Sequence, residues 1–216
     1  MRALLLDLDG TLIDSRRDLA RGVNLLLEDL GLTPLPVERI TSFVGRGARS
    51  LVSRAMAFSD PEGRVPPDET TLRRFLGFYE QVLLDTTVPF PGVLDGLAQL
   101  QEARVPLAVV SNKPEAPTRV ILDALELTPF FGSILGGDSA PEKKPSALPL
   151  VQAAEELKHP LKDCLMAGDS DVDIQAAHAA GIPGIWCSWG GIHPDCPTEV
   201  DRVAHHFEDL VEAALA

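Results

Sequence analysis

The sequence predicts an α/β protein, a doubly wound parallel sheet with a helical unit inserted after its first strand. Three observations predict it. Short apolar runs without alternation, such as Ala3 to Leu6 and Leu107 to Val110, read as strands buried on both faces. From residue 88 onward these runs alternate with helical patterns, which calls for parallel strands joined by right-handed crossovers. Between residues 15 and 85 the pattern is helical, with no convincing strand. The expected division is a core of residues 1–14 and 86–216 around a helical insertion of residues 15–85.

The first strand ends in charge, in the run Leu4-Leu5-Leu6-Asp7-Leu8-Asp9-Gly10-Thr11. Side chains alternate along a strand, so Asp7 and Asp9 point to the same side. Gly10 permits a close turn and Thr11 adds a hydroxyl. Buried carboxylates are costly unless cations or hydrogen bonds compensate them. A hard divalent metal is the simplest compensation and would suit the pair to phosphate chemistry. Plainer readings exist, since Asp caps helices and Asp-Gly makes turns. An EF-hand calcium loop is excluded, because Leu12 and Asp18 stand where its Gly and Glu belong.

In the insertion, Leu19, Val23, Leu26, Leu27 and Leu30 recur at helical spacing, with Gly31 at the C-terminal cap. A second helix is expected from Val44 to Phe58, a Pro- and Gly-rich loop from Ser59 to Asp68, and a third helix through Leu72, Phe75, Tyr79 and Leu83. Pro89-Phe90-Pro91-Gly92 is a turn before a helix ending near Ala103. Then come strand Leu107 to Val110, helix Glu115 to Leu125, strand Ser133 to Leu135 and helix Ala147 to Leu157. Strand Cys164 to Ala167, helix Val172 to Ala180, and strands Gly184 to Cys187 and Val203 to His206 complete the chain.

In doubly wound sheets, ligands bind beyond the carboxyl ends of the strands. The polar clusters sit there: Asp7 and Asp9, then Ser111-Asn112-Lys113, then Lys144, then Asp169 to Asp173. Singly each has a structural reading as a cap or a solvated loop charge. A calcium loop starting at Asp169 is excluded by Ile174 and Ala180. Four such clusters in order along one sheet edge point to a site.

Composition narrows the function further. A net charge of −13 over 216 residues argues against a nucleic-acid or anionic-membrane surface, so an anionic substrate needs local cations or a metal. Three cysteines without a C-x-x-C pair suggest reduced thiols in the cytosol. Cys187, His193, Cys196 and His205 match no usual zinc spacing. Asp7 and Asp9 interrupt the N-terminal apolar run, so no signal peptide is expected, and no run reaches membrane-spanning length. The expectation is a cytoplasmic protein, monomeric or homodimeric.

These four segments resemble the haloacid dehalogenase superfamily of aspartyl-phosphate hydrolases, over essentially the whole chain. The resemblance implies a Rossmann-like core, with the helical insertion as its cap. It implies Asp7 as nucleophile and Asp9 as general acid–base. Ser111 would bond a phosphoryl oxygen and Lys144 would neutralise charge there. Asp7, the backbone carbonyl of Asp9, and Asp169 would hold Mg²⁺, while Asp173 would orient Lys144 or a metal-bound water. Asp171 takes no assigned role. Asp9 also separates phosphate-ester hydrolysis from the metal-free dehalogenases, which lack that second carboxylate.

Val44-Gly45-x-Gly47, Pro89-Phe90-Pro91-Gly92-Val93, Ser111-Asn112-Lys113-Pro114 and Gly136-Gly137-Asp138-Ser139 look like the phosphoglycolate phosphatase branch. Its small dianionic substrate bears a carboxylate, which free N–H groups near Gly45 and the side chains of Arg46 or Arg49 would suit. Thr11, Asn112 and Lys113 are further candidate substrate contacts. Ser111 stands where the branch usually has Thr, and the Trp189 to His193 loop departs from its usual form. Related branches act on sugar phosphates, amino-sugar phosphates or pyrophosphate, or are phosphomutases. A non-catalytic module on the same fold would typically lack Asp7 or Asp9.

Overall fold

The computed structural model describes residues 2–192 and 199–216. The chain begins with β1 (Ala3–Leu6) and the two-residue β2 (Ile13–Asp14), followed by α1 (Arg16–Asp29), α2 (Val37–Thr41), α3 (Ala48–Ser59) and α4 (Glu69–Val82). It continues through β3 (Val88–Pro89), α5 (Val93–Glu102), β4 (Leu107–Val110), α6 (Glu115–Ala124), β5 (Ser133–Leu135) and α7 (Leu148–Glu156). Last come β6 (Cys164–Gly168), α8 (Asp171–Ala179), β7 (Gly184–Cys187), β8 (Arg202–Ala204) and α9 (Phe207–Leu215). Two compact units result, Met1–Asp14 with Pro89–Ala216, and Ser15–Val88.

In the core unit, one six-stranded sheet runs in the order β5-β4-β1-β6-β7-β8. Every pairing in it is parallel, as two-sided apolar strands require. The chain works outward from β1 to β4 and β5, then returns to β6 on the other side of β1. That reversal makes the carboxyl ends of β4, β1 and β6 the natural ligand crevice. Leu6 aligns with Val109 on one side and with Ala167 on the other. Asp7, Ser111 and Asp169 therefore leave the sheet at neighbouring points.

One face of the sheet is closed by small side chains. Ala3, Leu5, Ala108, Val110 and Met166 pack with Leu150, Ala153 and Ala154 of α7 and Ala176 and Ala177 of α8, all nearly or fully buried. A fully buried Leu contributes about 1.5–3 kcal/mol, so strands this short are held by their packing. Elsewhere in the core unit α5 meets α9 closely, since a Cβ on Gly96 would lie 2.3 Å from the Phe207 ring.

Helix α9 is absent from the sequence reading, which ends on a strand through His206. The strand stops at Ala204 because the Asp209 carboxylate accepts the His205 and His206 N–H groups at 2.7 and 3.1 Å, opening a helix. Phe207, Leu210, Val211 and Ala214 then recur at helical spacing on its buried face.

The helical unit corrects the reading of Val44 to Phe58 as one helix. Gly45 and Gly47 have φ of 106° and 84°, left-handed backbone that a helix interior does not use, so α3 begins only at Ala48. The short α2 precedes them. Gly31, by contrast, ends α1 as its position suggests: its N–H donates to Glu28 O at 2.9 Å and the Leu32 N–H donates to Leu27 O at 2.8 Å. Thr86 and Thr87 belong to this unit because their N–H and hydroxyl groups donate to the buried Asp18 carboxylate at 2.6–3.1 Å.

Candidate active site

The turn after β1 is wound tightly. The N–H groups of Thr11, Leu12 and Ile13 all point to Leu8 O, and Gly10 N–H donates to Ile13 O at 3.0 Å. Gly10 takes a φ of 86°, and a Cβ there would lie 2.2 Å from Asp169 Oδ2. Gly190, after β7, fits as closely, since its Cβ would fall 2.2 Å from Gly10 O. Only a backbone without side chains leaves room for the Asp169 carboxylate between these loops.

The structure brings Asp7, Asp169 and Asp173 together, with one carboxylate oxygen of each within 4.8 Å of the others. Lys144, 2 % exposed, reaches into this group. Its Nζ lies 3.0 Å from Asp7 Oδ1, 2.6 Å from Asp173 Oδ1 and 2.5 Å from the Val110 carbonyl. The other Asp173 oxygen accepts from the Ser170 N–H at 3.1 Å and hydroxyl at 2.6 Å. Asp173 thus contacts Lys144 through one oxygen and Ser170 through the other.

Asp9 is held separately. Lys113 Nζ donates to both its oxygens, each at 2.8 Å, in a pair that is almost entirely buried. The sequence reading lists Lys113 as a substrate contact and does not foresee this fork. Ser111 is fixed through its N–H to Leu135 O at 2.9 Å, and its hydroxyl oxygen accepts from the Lys113 N–H at 3.3 Å. The Asn112 amide serves the scaffold: Nδ2 donates to Lys144 O at 2.9 Å and so ties the loop after β4 to the Lys144 loop.

Thr11 does the same from the other side. Its side chain is fully buried beside the Cys187 thiol, and its carbonyl accepts from Trp189 Nε1 at 3.0 Å. The Thr11 hydroxyl, expected as a substrate contact, is fully buried. Gly45, Arg46 and Arg49 lie in the helical unit, where exposed Arg49 pairs with Glu69 at 2.5 Å.

The electrostatics follow from burial. Asp169 is pushed well above the ordinary carboxylate range, first by burial and then by Asp7, Asp173 and Asp9, against the pull of Lys144. Burial also raises Asp7, to about 6, with Lys144 opposing and Asp173 and Asp9 adding to the rise. Burial works against the Lys144 charge, yet Asp173 and Asp7 outweigh it and hold its pKa above the ordinary lysine value. Burial pushes the Cys187 thiol well up, which keeps it an inert core group. His193 and Cys196, the remainder of that unusual His/Cys set apart from His205, lie outside the described residues.

These residues fit a hard divalent cation. The donors are carboxylate oxygens, and Asp169 Oδ2 is buried without a hydrogen-bond partner among the described residues. Asp7 and Asp169 are the side chains that would hold it. The Asp9 carboxylate is outside this cluster, being taken by Lys113, which leaves its backbone carbonyl as the expected ligand.

A family model described as haloacid dehalogenase-like hydrolase matches residues 4–187. The chain belongs to that family. Among its relatives, a phosphoglycolate phosphatase of Chromobacterium violaceum is 43% identical over 191 residues, covering 88% of this chain and 86% of that protein. One from Caulobacter vibrioides is 35% identical over 212 residues, covering 97% and 89%. A crystal structure of a predicted phosphoglycolate phosphatase from Haemophilus somnus superposes with a TM-score of 0.90 at 30% identity, covering 99% of this chain and 97% of that one. This haloacid dehalogenase-like hydrolase is an enzyme, a phosphoric monoester hydrolase. Among the described residues, no helix is long and apolar enough to cross a membrane.

Proposed function

We propose that this hydrolase is a Mg²⁺-dependent cytoplasmic phosphatase of small phosphate monoesters, 2-phosphoglycolate first among them, acting through an aspartyl-phosphate on Asp7. The observation that carries the reading is the pairing of two strand-end carboxylates with two separate buried lysines, Lys144 at Asp7 and Lys113 at Asp9. The residues give each half of the reaction an owner. An Asp7 oxygen forms a bond to phosphorus as the bond to the alcohol oxygen breaks, and Asp9 supplies that oxygen with a proton. Water then attacks phosphorus, Asp9 takes its proton, and the bond to Asp7 breaks. Lys144 and the Ser111 hydroxyl would offset charge on the phosphoryl oxygens. Bound between Asp7 and Asp169, Mg²⁺ would supply electrostatic stabilisation of phosphoryl charge.

Glycolate as the alcohol is supported by the curated relatives' names and by the Gly45–Arg49 segment of the helical unit, which we read as a cap. The test is a phosphate-release screen over small esters with Mg²⁺ and with chelator. Activity that survives the chelator would overturn the metal dependence. A ranking with sugar phosphates far above 2-phosphoglycolate would overturn the substrate while leaving the chemistry intact.

A further inference from the structure

The turn that carries Asp9 is held from outside as well as from within. Leu8 O collects the N–H groups of Thr11, Leu12 and Ile13, and Gly10 N–H donates to Ile13 O at 3.0 Å. The Thr11 carbonyl instead meets the loop after β7, where Trp189 Nε1 donates to it at 3.0 Å from 178 positions away in sequence. The next residue, Gly190, lies against the same turn. A Cβ on it would fall 2.2 Å from Gly10 O and 2.9 Å from Asp169 Oδ2, the buried oxygen without a hydrogen-bond partner among the described residues. Trp189-Gly190 thus touches both the turn and the carboxylate expected to hold the cation. The indole is itself backed. Its ring meets Phe207 of α9 edge-on, with centroids 6.4 Å apart and planes at 60°, and Phe207 is almost fully buried against Gly96 of α5. The N–H therefore holds Thr11 O from a fixed point.

We propose that Trp189 is a positioning residue: its indole N–H fixes the Asp9 turn in the arrangement that an octahedral Mg²⁺ site needs, and so sets a preference for Mg²⁺ over Ca²⁺. The inference rests on the reading of Asp7, Asp169 and the Asp9 carbonyl as the cation's ligands. Thr11 is two residues beyond Asp9, so a tether on its carbonyl limits how far the Asp9 carbonyl can swing. Mg²⁺ demands near-ideal octahedral geometry, whereas the larger Ca²⁺ accepts more ligands in flexible arrangements. Loosening the turn therefore costs Mg²⁺ more than Ca²⁺. A hydrogen bond that served stability alone would lower the melting temperature and leave the ratio of the two affinities unchanged.

The experiment uses Trp189→Phe, which keeps a ring against Phe207 and removes the N–H. Dissociation constants for Mg²⁺ and for Ca²⁺ are taken from the rise in Tm with ion concentration, each referred to the same protein without metal. In the variant the Mg²⁺ constant is expected to rise about tenfold, the usual scale for a group that orients a metal ligand, and the Ca²⁺ constant by less than about threefold. Equal weakening for the two ions, or none, would overturn the proposal. Should Trp189→Phe not fold, wild type alone decides through deuterium exchange at the Trp189 indole N–H. Coupling is reciprocal, so if the tether favours Mg²⁺, saturating Mg²⁺ favours the tether by the same factor and exchange slows about tenfold, then levels off. Exchange unchanged by Mg²⁺, or slowing that keeps growing with ion concentration as global opening would give, overturns the idea. The two readings fail differently. A wild type whose Tm neither ion raises removes the Mg²⁺ reading together with this inference, whereas a wild type that binds Mg²⁺ and a variant that binds it equally well remove this inference alone.

Discussion

Asp7→Asn should stabilise the metal-free protein while abolishing its activity. The Asp7 carboxyl is raised from 3.8 to about 6, chiefly by burial. Each unit is about 1.4 kcal/mol, so keeping Asp7 ionised at neutral pH costs the fold about 3 kcal/mol. Asparagine keeps the shape and removes the charge, and Lys144 retains Asp173 and the Val110 carbonyl. That figure is already net of the pull of Lys144, so the gain at pH 7.5 is about 1–3 kcal/mol once the poorer fit of the amide is allowed for, or a Tm rise of about 3–10 °C for a chain of this size. The sign depends on pH. A carboxylate raised in the folded state favours folding below its unfolded pKa, and that advantage is lost as pH rises through the folded value. Wild-type stability should therefore decline between about pH 4 and 6 relative to the variant, and the two should converge near pH 4. Thermal melts in EDTA at pH 4 and 7.5 measure this, and phosphate release should fall by at least about 10³-fold. A variant less stable than wild type at pH 7.5, or a gain that persists at pH 4, would refute the electrostatic argument.

Lys144→Met should act in the opposite direction. It leaves the buried carboxylates of Asp7 and Asp173 without their ammonium, at a cost of about 3–5 kcal/mol read by denaturant unfolding. A loss under about 1 kcal/mol would mean that the pair contributes little. Gly190→Ala places a Cβ 2.2 Å from Gly10 O, so the turn carrying Asp9 must shift. Stability should fall by about 1–3 kcal/mol and kcat/KM by about tenfold or more, and unchanged kinetics would show that the turn yields without moving Asp9.

The parts of the fold legible in the sequence are those set by local pattern. Ser133–Leu135 and Gly184–Cys187 fall where their apolar runs place them, because a strand buried on both faces has no other reading at that length. The start of α3 was obscured because Gly45 and Gly47 interrupt an otherwise continuous helical pattern, and their left-handed φ values have no composition signal of their own. Helix α9 was legible in the spacing of Phe207, Leu210, Val211 and Ala214, but the β-like run before it dominated. At the site, the order of the clusters pointed to Asp7, Asp9, Lys144 and Asp169. The Lys113 fork was not legible: it joins residues 104 positions apart, and nothing local in Ser111-Asn112-Lys113 says whether the ammonium meets a substrate or a carboxylate. Gly190 carried a weak signal, a Gly-Gly pair just beyond a predicted strand, where close backbone approach is common.

The charge inventory of the site supports the divalent cation proposed for it. Asp7, Asp9, Asp169 and Asp173 bring four carboxylates into a region where none is more than 8 % exposed, and Lys113 and Lys144 bring two ammonium groups. Two negative charges remain, and they fall where Asp169 has a buried oxygen without a partner. The surroundings do not supply the balance. The ten arginines of residues 15–88 are matched there by ten acidic residues, so the whole net charge of −13 belongs to the unit that contains the site. Protonating Asp169 removes one unit, and its raised pKa reflects that alternative. A monovalent ion likewise leaves one unit uncancelled, while one divalent ion would cancel both at a single point, the two lysines being already counted against Asp7, Asp9 and Asp173.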